Sequence, residues 1–389
     1  MSDKDQRKVP LLRFKGFTND WEQRKLKELA IFNPKDNLPE EFEYVDLESV
    51  IGTEMLSHKK TALSDAPSRA QRLAKKGDIF YQTVRPYQKN DYLFDKDAEN
   101  YVFSTGYAQI RPKINGNFLF QLLRTERFVK KVLNECTGTS YPAINSKDLS
   151  NIKVSYTNYK EEQRSIGSLL DNLDNLVALQ QQKNADIINL KKAILDKIFS
   201  NSNIQKWRDI RLNKVLSIPV DEPKEVTNID DIISVKLNTQ GISKIPNRST
   251  LKLGSTKYYV RHGGQFIFGK QNFFNGSMAI IPSEYDGKVS SKDVPSLNIN
   301  KDIVMPYFLW LYLSRPSFYK KTERWATGTG SKRLHIKDLL SLKIYIPNKN
   351  EQLRICKLMR SLDTQILKSQ KHLKELQSIK KFLLQNMFI

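Results

Sequence analysis

The sequence predicts an α+β chain in which two similar globular domains are separated by two long antiparallel coiled-coil helices, the halves forming a pseudo-two-fold repeat. Three observations predict it. A length of 389 residues leaves room for two to three domains. Blocks of sequence recur at an offset close to half that length. Two stretches of about 40 residues carry an apolar seam with the coiled-coil period of 3.5. The expected boundaries are 1–158 for the first domain, 159–200 for the central helix, 201–348 for the second domain and 349–389 for the C-terminal helix.

The repeat supports each element in turn. Near the start of each half, Trp21 with Leu26 and Leu29 parallels Trp207 with Leu212 and Val215. Short β-type runs follow glycines at Asp78–Tyr81 and Gln265–Phe268, and Leu342–Ile346 alternates as a half-buried strand does. Helical stretches surround Leu119–Leu133 and Tyr307–Lys321, with Phe118, Leu119 and Phe128 recurring 190 positions later as Phe308, Leu309 and Phe318. Thr137-Gly138-Thr139 and Lys147-Asp148-Leu149 recur at the same offset as Thr327-Gly328-Thr329 and Lys337-Asp338-Leu339. After one deleted residue the match continues from Glu162-Gln163 against Glu351-Gln352 to Phe199 against Phe388.

The seam of the central helix runs Ile166, Leu170, Leu173, Val177, Gln180, Asn184, Ile187, Lys191, Ile194, Ile198. That of the C-terminal helix runs Ile355, Met359, Leu362, Ile366, Ser369, Leu373, Leu376, Lys380, Leu383, Met387. Asn158-x-x-Glu161 and Asn348-x-x-Glu351 have capping-box spacing, so each helix is expected to start there. Neither helix stands alone in water, and each is the natural cover for the other. Antiparallel pairing of a two-fold-repeated chain brings the equivalent polar positions Gln180 and Ser369 face to face, where a polar layer can fix register. The alternative is a wet position that merely tolerates polarity.

Lys plus Arg number 64 against 42 Asp plus Glu, a net charge of +22 that makes a polyanion the first partner to consider. Residues 160–200 carry six basic and six acidic residues, and residues 350–389 carry eight and three, so +17 belongs to the domains and the N-terminal arm. Within the domains, basic residues mix with amides and aromatics in loops. The first stretch includes Arg85, Tyr87, Gln88, Lys89 and Asn90, and its counterpart includes Lys270, Gln271 and Asn272. A second pair flanks the repeated Thr-Gly-Thr: Ser140, Tyr141 and Asn145 in one half, Arg324, Lys332 and Arg333 in the other. Arg and Lys suit guanine edges, while Asn and Gln suit adenine edges, so these fourteen are the candidate DNA-binding residues. Ordinary solvated loops are the alternative, and Gly138 and Gly328 need only supply a positive φ.

Other chemistry is not indicated. Two cysteines, Cys136 and Cys356, are too few for a disulfide framework or structural zinc, and four scattered histidines lack metal-ligand spacing. The eleven-residue apolar run Ile303–Leu313 contains Pro306 and is too short to span a bilayer. No apolar run follows the charges of residues 1–10, so no signal peptide is expected and a cytoplasmic location is. Gly264-x-x-x-x-Gly269-Lys270 has Gln271 where a phosphate loop needs Ser or Thr. Asn33-Pro34-Lys35 lacks the aromatic of an adenine methyltransferase. No catalytic residue and no metal site is expected.

Val9-Pro10-Leu11-Leu12-Arg13-Phe14-Lys15-Gly16-Phe17 with Trp21-Glu22 resembles the opening of type I restriction–modification specificity subunits. So do Gly77-Asp78-Ile79, the repeated Lys-Asp-Leu, and the Glu-Gln at the start of each long helix. The second half departs from the pattern: it has Gly264-Gln265 in place of Gly-Asp and lacks the Arg-Phe-Lys-Gly stretch. The resemblance implies a non-catalytic subunit of a DNA adenine-N6 methyltransferase and ATP-dependent endonuclease complex. Each domain would read one half of an asymmetric bipartite duplex DNA site, and the helices would set the spacer. It further implies two methyltransferase and two motor-nuclease subunits as partners, no membrane, and no cofactor in this chain, with S-adenosylmethionine, ATP and Mg on the partners. A coiled-coil scaffold without sequence-specific DNA binding, or a stand-alone DNA-modifying enzyme, are the competing readings.

Overall fold

The computed structural model describes residues 8–138, 140–244, 256–328 and 331–389. Thr139 and Thr329 of the repeated turn, and residues 1–7, lie outside the described residues. The chain divides into two compact units, one of residues 1–184 with 369–389 and one of residues 185–368. Each therefore combines a globular domain with part of both long helices.

In the first unit, a four-stranded antiparallel sheet runs in the order Ala30–Phe32, Tyr107–Pro112, Ile79–Gln82, Tyr92–Leu93. A second has the order Lys59–Ala62, Glu41–Val45, Tyr101–Ser104, Ala70–Leu73, its middle pair parallel. Glu22–Lys25 pairs antiparallel with Lys153–Tyr156. The second unit repeats that pair as Arg208–Arg211 with Lys343–Ile346, and it too has a four-stranded sheet, in the order Leu216–Ser217, Ser296–Ile299, Phe266–Phe268, Met278–Ile280.

The repeat is also a repeat of cores. Leu26, Phe118, Leu119, Leu149, Ile166 and Leu170 are buried together in the first unit. Their equivalents Leu212, Phe308, Leu309, Leu339, Ile355 and Met359 are buried together in the second. The start of each long helix thus buries its seam in the domain that precedes it. Apolar side chains removed from water in this way supply most of the favourable free energy of each unit.

The central helix spans Lys160–Ile198 and the C-terminal helix Lys349–Asn386, each about 57 Å at 1.5 Å per residue. Within the first unit they run antiparallel: Gln180 Nε2 donates to Ser369 Oγ at 2.9 Å and to its carbonyl at 3.1 Å, and Lys380 pairs with Asp174. Within the second unit Lys191 pairs with Asp363, the repeat-equivalent of that ion pair. All the nominated seam positions are buried or half-buried.

The helix starts differ from the capping boxes expected. Asn348 Oδ1 accepts the Glu351 amide at 2.9 Å, but Glu351 turns to accept Trp207 Nε1 at 3.1 Å. Asn158 caps nothing, because its side chain is held by Glu22 and the Tyr156 hydroxyl. The Tyr159 amide uses Thr157 Oγ1 instead, at 3.2 Å. Glu162, equivalent to Glu351, is fully buried and takes Arg13 in a two-pronged ion pair, Nε to Oε1 at 2.6 Å and Nη2 to Oε2 at 2.9 Å.

Candidate nucleic-acid interface

In each unit the two loops nominated from sequence meet. In the first, the strand Ile79–Gln82 runs into a single 3-10 turn, Pro86–Gln88, flanked by Arg85 and Lys89, both left-handed at φ +54° and +55°. The turn packs on the hairpin in which Thr137 pairs with Ala143. Ile144 donates its amide to the Thr83 carbonyl at 3.0 Å, Arg85 to that of Pro142 at 2.8 Å, and the Arg85 guanidinium lies 4.3 Å from the Tyr141 ring centre. In the second unit the equivalent 3-10 turn is Phe273–Asn275, and Thr327 pairs with Arg333. Leu334 donates to the Lys270 carbonyl at 2.8 Å, and Gln271 Nε2 to Ser331 Oγ at 2.9 Å. Gly138 and Gly328 have φ of +84° and +124°, and a Cβ would stand 3.0 Å and 2.6 Å from the carbonyl oxygens of Tyr141 and Ser331. Both glycines are required by the hairpin itself.

The nominated side chains divide by what already occupies them. Tyr87, Tyr141, Ser140 and Gln88 are exposed, with Gln88 Oε1 accepting from Gln82 Nε2 at 3.0 Å. Lys89 reaches Glu126 at 2.6 Å, Lys332 reaches Glu323 at 2.7 Å, and Arg333 lies 3.6 Å from Asp293. Pairs as open as the last two contribute on the order of 0–1 kcal/mol, so a phosphate can displace the carboxylate cheaply. Lys270 and Asn272 are half-buried, and Asn272 Oδ1 accepts from Asn275 Nδ2 at 3.1 Å. Asn145 Oδ1 caps the helix Ser146–Asn151 at the Asp148 amide, 2.8 Å away, and Asn90 Oδ1 accepts the Gly52 amide at 2.8 Å; both are committed to the fold. Arg324 stacks 3.9 Å from the Trp325 ring centre and lines a separate groove of about 810 Å³ with Arg315, Lys321 and Lys343.

Two features of the site escaped the sequence reading. One is a β-hairpin leaning on each 3-10 turn. In the first unit Val50–Ile51 pairs with Glu54–Met55, and its Gly52 meets Asn90. In the second, Ile233–Val235 pairs with Ile242–Lys244, and the tip donates from Asn238 to the Asn275 carbonyl at 2.9 Å and from Thr239 to that of Gly276 at 2.8 Å. The pairing is remote in sequence, but Gly52-Thr53 and Asn238-Thr239 lie 186 positions apart, the offset of Trp21 and Trp207. The other is Asp91, fully buried beneath the first turn, with Oδ1 accepting the Gln82 amide at 2.9 Å. Burial pushes its carboxyl up to about 7, against the pull of that amide and of Arg124 and Lys89.

Gly264–Lys270 spans the strand Phe266–Phe268 and is no phosphate loop. Asn33 exchanges hydrogen bonds with the Gln109 backbone at 2.8 and 2.9 Å. Among the described residues no group of three His, Cys, Asp or Glu is placed to hold a metal, and no helix is long and apolar enough to cross a membrane.

Residues 18–189 and 205–378 each match the family model of the type I restriction modification DNA specificity domain. The type I restriction enzyme HindI specificity subunit of Haemophilus influenzae is 27% identical over 194 residues, which cover 46% of this chain and 41% of that protein. The chain thus spans well under two thirds of that relative. The MjaVIII specificity subunit of Methanocaldococcus jannaschii is 22% identical over 334 residues, covering 79% and 73%. The crystal structure of a type I restriction–modification S subunit from M. genitalium superposes with a TM-score of 0.62 at 16% identity, covering 98% of this chain and 99% of that one. This last likeness is one of fold.

Proposed function

We propose, from the premise that this chain belongs to the type I restriction modification DNA specificity domain family, that it is the DNA sequence-specificity subunit of a restriction–modification complex. Each domain reads one half of an asymmetric bipartite duplex site. The observation that carries this reading is the matching of that domain twice, once in each half, where a basic, amide-rich turn and a glycine hairpin converge. Arg85, Tyr141, Gln88, Gln271, Lys332 and Arg333 are the side chains best placed to touch DNA, the arginines and amides on base edges and the lysines on phosphates.

The chain does no bond-breaking itself on this reading. Two methyltransferase subunits docked on the long helices would bring S-adenosylmethionine, and two motor-nuclease subunits would bring ATP and Mg. A cytoplasmic location follows. The test is to co-express the chain with its methyltransferase partner and map methylated adenines across the host genome. A bipartite motif with an unread spacer is the expected result. A single contiguous motif, or cleavage or methylation by the isolated chain, would overturn the reading. Affinity of the assembled complex for duplex should fall steeply with salt, as phosphate contacts require.

A further inference from the structure

We infer that the hairpin tip Asn238-Thr239-Gln240 is a base-reading element of the second domain, and that its amide side chains recognise an adenine in that domain's half-site. The inference rests on the functional reading above and goes further, to a specificity determinant outside the loops that mixed charge and amides pointed to.

Four observations carry it. The tip is tied to the turn Phe273–Asn275 and the Gly276 that follows it by the two backbone hydrogen bonds from Asn238 and Thr239. Gly276 ends that turn, and a Cβ there would stand 3.2 Å from Asn238 Cα and from the Thr239 amide, so the approach is as close as backbone permits. Asn238 and Thr239 are both left-handed, at φ +54° and +57°, without being glycine. Among the described residues five non-glycine residues have positive φ, and two of the other three, Arg85 and Lys89, flank the equivalent turn of the first unit. Threonine is a costly choice there, because its branched Cβ crowds the following carbonyl. Strain of this kind persists only where the surrounding structure over-determines it, as the hydrogen bonds to the turn do here, and it clusters at binding sites.

The chemistry fits the groove. A two-stranded ribbon enters the major groove, and Asn or Gln meets adenine N6 and N7 with one acceptor and one donor. Asn238 and Gln240 are exposed. The hairpin at the matching place in the first unit carries Gly52-Thr53-Glu54, with no amide, so the two domains present different chemistry at one position.

The test uses the full chain co-expressed with its methyltransferase subunits. Asn238→Gly keeps the left-handed backbone and removes the amide; Gln240→Ala removes the other. Methylated adenines are mapped for wild type and each variant. Dissociation constants of each complex are then measured for duplexes carrying the wild-type motif or single-base replacements. Expected is a loss of discrimination of roughly 5- to 150-fold at one A·T pair of one half-site, in at least one variant, with the other half-site and the melting temperature unchanged. An unaltered motif in both variants, or equal weakening on all sequences, overturns the assignment. A wild-type complex that yields no bipartite motif overturns the functional reading itself, which separates the two failures.

Discussion

Two buried charges show how much a single side chain decides in this chain. Glu162 and Glu351 are repeat-equivalents, yet the first binds a guanidinium and the second an indole N–H. The difference lies in Arg13, part of the Arg-Phe-Lys-Gly stretch that only the first half has, and among the described residues the buried Trp21 Nε1 has no protein partner where Trp207 has one. A fully buried carboxylate stripped of its cation is expensive, so Arg13→Met should cost about 3–5 kcal/mol. Arg13→Met with Glu162→Met should recover most of it, since apolar groups of like volume replace a buried pair at little cost. Thermal unfolding of the two variants checks this, and an unrecovered double variant refutes it. Asp91 makes the opposite case. Its carboxyl is raised to about 7 by burial, whereas in the unfolded chain it ionises near ~3.9. Between those values the unfolded state sheds its proton while the folded state holds it, so Asp91 removes stability as pH climbs from about 4 to 7, and the penalty is complete above that. Asp91→Asn keeps the oxygen that accepts the Gln82 amide. It should raise the melting temperature clearly at pH 8 and hardly at pH 4.5; equal shifts at both would show that the carboxyl is not the cause.

At the scale of elements, what was legible and what was not follows from the range of the interactions. The long helices were legible because a seam repeats in the sequence itself, and four of the five polar exceptions in it turn out to be partnered; the fifth, Asn184, buries its Oδ1 without a hydrogen bond among the described residues. Gln180 meets Ser369, and the seam lysines Lys380 and Lys191 meet Asp174 and Asp363, which flank the seam. The hairpins on the 3-10 turns were illegible because strands of two or three residues carry no period, and their packing joins positions such as Gly52 and Asn90 that lie 38 residues apart. The loops were found by composition, but composition does not separate Asn145 and Asn90, which hold the fold, from Gln271 and Arg333, which line its surface. If the polar layer fixes register, Gln180→Leu with Ser369→Leu should leave the helices paired but able to slide in steps of the heptad. Unfolding would then broaden, and the spacer in the mapped DNA motif would become mixed in length. Cooperative unfolding with a single spacer would show that the polar pair is only tolerated.

At the scale of the molecule, the proposed function makes the repeat two sensors and the differences between its halves two targets. A half-site read in the major groove must face its domain, so the centres of the two half-sites are expected about one helical turn, ~34–36 Å, apart, with unread sequence between. The turns proposed to meet DNA differ, Arg85 and Tyr87 in one half against Asn272 and Phe274 in the other, so the site is expected to be asymmetric. If the helices are the ruler, their length is the variable that sets the spacer. One heptad inserted after Asn184 in the central helix and one after Leu373 in its partner preserves the apolar seam. It lengthens the rod by about 10 Å at 1.5 Å per residue. At ~3.4 Å per base pair that corresponds to a spacer longer by about three base pairs, with both half-sites unchanged in sequence. Methylation mapping of the lengthened protein reads this directly. The same half-sites at the original spacing would mean that the domains, and not the helices, decide how far apart the two sequences are read.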